Sequence, residues 1–138
     1  MSQENVEFVR RGYIRLNEML KGGVIDDQAV EETWAPDCVL RPSGLLPESS
    51  EVHGHEGIVR FISAQVEAFD QMQVEVLDVI DIEDRVVVPI RFGGKARHTG
   101  LDVNFAVVHV LTMRDGRIAR LDMYVDKADA LEAVGLRE

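Results

Sequence analysis

Apolar side chains recur at three- and four-residue spacing in the first half of the chain and at every second position in most of the rest. Val6, Val9, Tyr13, Leu16 and Leu20 form one stripe on a helix that Ser2 can cap and Gly22-Gly23 ends. A shorter helix is predicted over about 26–34, with Asp26 or Asp27 as cap and Pro36 stopping it. Residues 42–50 read as loop, and a third helix begins near Gly54 or His55, burying Ile58, Phe61, Ile62, Val66 and Phe69 on one side. From Met72 the period becomes two. Residues 73–82, 85–92, 101–113 and 117–125 then read as strands, rich in Val and Ile. Asp115-Gly116 is a hairpin signal, because a two-residue turn needs positive φ, which both residues tolerate. Pro89 cannot donate to a ladder and points to a bulge or an edge segment. Asp126 caps a short terminal helix carrying Ala128, Leu131 and Val134 and ended by Gly135.

Helices followed by an antiparallel meander predict an α+β domain: a curved, mostly antiparallel sheet wrapped around N-terminal helices. Such a sheet can close as a cone and leave a cavity. At 138 residues, 46% of them hydrophobic, one domain over 1–138 is expected.

Composition narrows the function. A net charge of −10 repels phosphate backbones and acidic membrane faces, so neither nucleic acid nor a membrane is an expected partner. The basic loop 91–98 reads as a solvated hairpin end. No apolar run approaches the roughly 20 residues that cross a bilayer. Met1-Ser2-Gln3-Glu4-Asn5 is polar and acidic rather than a secretory signal, so the expected address is cytoplasmic. Cys38, the single cysteine, excludes an internal disulfide and a thiolate zinc site, and at the start of a strand it reads as a small buried residue. His53-Gly54-His55 beside Glu56, with His98 elsewhere, is the one metal-like pattern. At a loop-to-helix junction the rings need not converge, so no metal is expected, and no cofactor.

Four stretches carry a family resemblance: Val9-Arg10-Arg11-Gly12-Tyr13 with Leu16-Asn17; Trp34-Ala35-Pro36-Asp37; Gly54-His55-Glu56-Gly57-Ile58; and Arg114-Asp115-Gly116-Arg117-Ile118 running to Tyr124-Val125-Asp126. With the order of elements, they resemble the SnoaL-like branch of the nuclear transport factor 2-like superfamily. That branch contains polyketide cyclases and is related to ketosteroid isomerases and limonene epoxide hydrolases. The resemblance implies the cone fold and an internal pocket. It puts His109 where the isomerases carry a protonated oxyanion-hole aspartate. Their general base would fall near Arg41 or Pro42, and their oxyanion tyrosine at Gly12, one residue before Tyr13. The aspartate of the cyclases and epoxide hydrolases falls at Met123, with Asp122 adjacent on the opposite face.

With that register, Phe105, Val107, His109, Leu111 and Met113 share one face of a strand, and Ala106, Val108, Val110 and Thr112 the other. His109 is then either a satisfied core histidine or the polar handle of an apolar pocket. Tyr13 and Trp34, on helical faces, join an apolar body to a hydrogen-bonding tip and should approach the same cavity as Phe61, Phe105, Val107 and Met123. Arg41 could reach in and hold a carboxylate or enolate oxygen.

Three functions are compatible with this reading. The first is a protein holding a small, largely apolar molecule. The second is an isomerase, cyclase or hydrolase with His109 as the proton-transfer group. The third is a dimeric interaction module with a vestigial cavity. A homodimer is expected because Ala106, Val108, Val110, Ile118 and Tyr124 would leave the outer sheet face apolar.

Overall fold

The computed structural model describes residues 2–42 and 51–135. The expected Ser2 cap and residues 43–50 of the expected loop lie outside the described residues and side chains. Helix α1 (Ser2–Gly22) buries the stripe of Val9, Tyr13 and Leu20 and ends where Gly23 takes φ +71° and returns its N–H to the Met19 carbonyl. Helix α2 (Asp27–Thr33) is capped by Asp26, whose carboxylate accepts from the Ala29 N–H, a cap contributing about 1 kcal/mol. Trp34 is not helical, as the sequence reading had it. It is the C-cap of α2 and the first residue of β1 (Trp34–Arg41), with extended backbone at φ −109° and ψ 142°, and Ala35, directly before Pro36, is biased the same way. After β2 (Val52–His53) comes α3 (Gly54–Ala68), and Phe69, expected on that helix, instead opens β3 (Phe69–Val76).

The expected strand 73–82 divides into β3 and β4 (Ile80–Ile82), both paired with β5 (Arg85–Ala96). Pro89 explains the division. Its carbonyl accepts from Leu77 on the side of the break, and since N and C=O of a strand residue point the same way, its missing N–H faces the gap between β3 and β4. β5 is therefore an interior strand in which the proline sits where no donor is required. β6 (Asp102–Arg114) and β7 (Arg117–Tyr124) form the expected hairpin, with Asp115 at φ 53° and Gly116 at φ 75°. Asp126 caps α4 (Lys127–Ala133) through the Ala128 N–H.

The sheet runs β2-β1-β7-β6-β5-β3 and is mixed, because β1 pairs parallel with β7 while the other pairings are antiparallel. It is curved and open rather than closed. Helices α1, α2 and α3 pack with its inner face around the main core. The free edge at β3 is sealed from α1: the Asn17 side chain donates to the Val74 carbonyl and accepts from the Val74 N–H, both at 2.8 Å. Two such bonds contribute about 0.5–1.5 kcal/mol each and pin the helix to the strand.

The outer face is not bare. Ala130 and Leu131 of α4 pack on Val87, Val108 and Val110 in a second, smaller core. Ile118 does not belong to that face. Thr112 pairs with Arg120 but Met113 with Ile118, so Ala119 is an extra residue, and this bulge turns Ile118 into the main core.

Candidate functional site

The inner face of the sheet and the helices enclose a cavity of about 540 Å³. Strand parity decides who lines it. Phe105, Val107 and His109 of β6 point inward with Met123 of β7, and Ile90 and Phe92 of β5 join them. The Asp122/Met123 alternative is settled by the same parity: Met123, opposite His109, faces the cavity, and Asp122, opposite Val110, faces out. Phe61 of α3 closes the helical side. Four of the five phenylalanines in the chain, at 61, 69, 92 and 105, line this one space. Phe92 stacks on Phe105 with centroids 4.8 Å apart and meets Phe69 edge-on at 5.5 Å. No Asp, Glu, Lys or Arg lines it among the described residues; Gln65 and His109 supply its polar side-chain atoms.

His109 is held by Tyr13. The Asn17 clamp fixes α1 against the sheet, and Tyr13, one turn earlier on the same helical face, brings its hydroxyl to 2.7 Å from His109 Nδ1. The two rings also lie nearly parallel, at an interplanar angle of 16°. Both residues are buried, at 7% exposure each. Burial pushes the His109 imidazole down to about 4, so it is neutral at neutral pH, and burial likewise pushes the Tyr13 phenol far up. Tyr13 is the one hydrogen-bond partner of His109 among the described residues, which leaves Nε2 for whatever enters the cavity. A neutral ring presents Nε2 as a donor or an acceptor, depending on which way the Tyr13 bond runs.

Trp34 lines a second, smaller space next to this pair, together with Tyr13. Arg41 does not reach the cavity. It is the outward neighbour of Leu40 on β1, half exposed, with its guanidinium 3.4 Å from Glu51 and 4.0 Å from Asp122. The registers explain this, since Leu40 pairs with Leu121 and Arg41 with Asp122, and β7 turns Leu121 inward and Asp122 outward. His53 lies 3.4 Å from Glu51 at the surface, whereas His55 Nε2 donates to the Trp34 carbonyl at 2.7 Å, so the two histidines serve different partners. Among the described residues no three His, Cys, Asp or Glu side chains gather as a metal set. The reading from sequence missed Phe69, Phe92 and Gln65 in the wall and the clamp made by Asn17. The alternation Val86, Val88, Ile90, Phe92 was the available signal for Phe92.

No helix among the described residues is long and apolar enough to cross a membrane. The fold matches many solved structures. A protein of Jannaschia sp. CCS1 assigned as a SnoaL-like polyketide cyclase is 23% identical, with a TM-score of 0.74 over 100% of this chain and 96% of the other. TerC, crystallised with polyporic acid, is 22% identical, with a TM-score of 0.75 over 95% and 98%. A nuclear transport factor 2-like protein of Burkholderia pseudomallei K96243 is 24% identical, with a TM-score of 0.71 over 98% and 99%. At these identities the likeness is one of fold. No curated protein matches the sequence significantly. Residues 14–121 match the SnoaL-like domain, so the α+β architecture and the sequence agree, and the chain belongs to the SnoaL-like domain family.

Proposed function

We propose that this domain holds a small, largely apolar, uncharged molecule in the 540 Å³ cavity and fixes it by one hydrogen bond to His109 Nε2. The observation that carries this reading is His109, buried and held by Tyr13, in a wall that is otherwise apolar apart from Gln65. A pocket of this kind takes its affinity from apolar contact and its orientation from a few placed polar groups. An ionic ligand would find no counter-charge among the described lining residues. The vestigial-cavity reading is disfavoured by the unfilled volume.

The pair itself favours acid–base chemistry as the second reading, since two titratable groups 2.7 Å apart in a cavity are a common catalytic arrangement. The base strength argues for the first. An imidazole at about 4 lies roughly three units below neutral pH, where a general base is inefficient. It serves better as a neutral hydrogen-bonding group.

Titration with 2-acetonaphthone, an aromatic ketone, tests the proposal. His109→Leu alone would leave the Tyr13 hydroxyl without its partner, so the informative variant is His109→Leu with Tyr13→Phe, which removes both polar atoms. Affinity should fall by about 1–3 kcal/mol in the folded double variant, the cost of an unpaired ligand carbonyl. Equal affinity in both proteins would reject the role given to His109.

Pairing of two copies through the outer face is also proposed, on a smaller patch than the sequence implied. Val108 and Val110 lie under α4, which leaves exposed Ala106 and half-buried Tyr124 on that face. Sedimentation should give a dimer at micromolar concentration; a monomer would contradict it.

A further inference from the structure

His109 lines two adjoining spaces. The second space, of about 100 Å³, lies against Trp34 and Tyr13, and Leu16, Phe61, Ile62, His109 and Met123 line it and the 540 Å³ cavity alike. The side chains that line only the smaller space include Ala29, Val30, Ile58 and Leu111, so it is walled mainly by hydrocarbon. Arg15 touches its rim, but its guanidinium is engaged 2.8 Å from Glu32 at the surface. Two of the residues that line it, Gly12 and Ala29, are small. Ala29 is buried, and a Cβ added to Gly12 would come 3.4 Å from the Thr33 methyl.

We infer that the ligand has two apolar parts joined at its polar atom: a broad body in the large chamber, a carbonyl or hydroxyl at His109, and a short alkyl arm in the small chamber. Ala29 and Gly12 set the length of that arm. By proportion to a cavity of about 150 Å³ that accommodates benzene, the arm is about four carbons long. A charged arm is excluded by the hydrocarbon wall. This inference rests on the cavity being the binding site, and it adds a specificity device that the polar pair alone does not supply: the arm must sit on the far side of the oxygen from the body.

The test is a homologous series of 2-naphthyl alkyl ketones from methyl to hexyl, titrated against the full chain. Each added methylene that enters the chamber should raise affinity about fourfold. The gain should stop at about four carbons and reverse beyond. Ala29→Leu fills the small chamber and should abolish the advantage of the butyl over the methyl ketone. Gly12→Ala improves helix propensity, so it keeps the fold even if Ala29→Leu does not, and it should move the best arm about one carbon shorter. Melting temperatures on each variant show which are folded. Binding of the methyl ketone that depends on His109, with no gain along the series, would overturn the two-chamber inference and leave the cavity reading standing. Absence of binding by every ketone would overturn both.

Discussion

Asp122 and Met123 are neighbours in the chain and occupy two different environments. Met123 stands opposite His109 inside the cavity, whereas Asp122 stands on the outer face with Arg120 at 2.9 Å and Arg41 at 4.0 Å. The two faces of the same strands thus solve the problem of polar groups in opposite ways. Outside, the largely buried Asp122 carboxylate meets the partly exposed guanidiniums of Arg120 and Arg41, so charge faces charge. Inside, the one pair of titratable side chains, Tyr13 and His109, is kept neutral by burial and hydrogen-bonds to itself, with one ring nitrogen left over. Asp122 has one oxygen on Arg120, while its Oδ1 is buried without a hydrogen bond and has the Arg41 guanidinium 4.0 Å away; His109 has its Nδ1 on Tyr13 and lines the cavity.

Substitutions can break this contrast. The largest effect is expected at Leu111, 1% exposed on the inner face: Leu111→Ala should cost about 2–5 kcal/mol in denaturant unfolding, as an emptied core position does. A loss below about 1 kcal/mol would mean that the interior is loosely packed.

The pH dependence of stability comes next. His109 takes up its proton at about 4 in the folded chain and near 6.5 when unfolded, so the unfolded chain binds more protons between those values. Its neutral burial therefore costs nothing above about pH 6.5, and stability falls as pH drops towards about 4 and levels below it. The size is of the order of 3 kcal/mol. Urea melts from pH 7 to 4 on the parent and on the His109→Leu, Tyr13→Phe double variant should show this component vanish in the variant. The same slope in both would assign it to carboxylates.

Tyr13→Phe strips the hydroxyl from His109 Nδ1 and should lower stability by about 1–3 kcal/mol. An unchanged melting temperature would contradict a shared bond. The smallest effect is expected outside. Arg41→Ala should change stability by less than about 1 kcal/mol and leave ketone affinity as it was. A clear loss of affinity would return Arg41 to the site.

Much of this contrast was legible in the sequence wherever period and parity were undisturbed. The β6 alternation assigned Phe105, Val107 and His109 to one face, and the Asp115-Gly116 turn fixed the hairpin that aligns β6 with β7. Reading failed where a local irregularity shifts parity. Alternation alone puts Ile118 outside, because a run of alternating side chains does not reveal the extra residue Ala119. The parity of Arg41 is hidden because β1 is irregular between Trp34 and Val39 and reads as a strand in the sequence only from about Cys38. Burial of Val108 and Val110 under α4 was also illegible, since the short helix's Ala130 gives no hint of the surface it covers. The Tyr13–His109 bond joins residues 96 positions apart, which the packing of α1 on the sheet, with the Asn17 clamp as part of it, brings together.

The central claim is that an apolar molecule lies in the cavity with its single polar atom on His109. A crystal structure of the chain with 2-acetonaphthone addresses it directly. The rings should lie among Phe61, Phe69, Phe92 and Phe105, with the carbonyl oxygen at hydrogen-bonding distance, about 2.7–3.2 Å, from His109 Nε2, and with the Tyr13 bond to Nδ1 retained. A ketone bound with its oxygen turned away from His109, or seated on the outer face with the cavity unoccupied, would contradict the account.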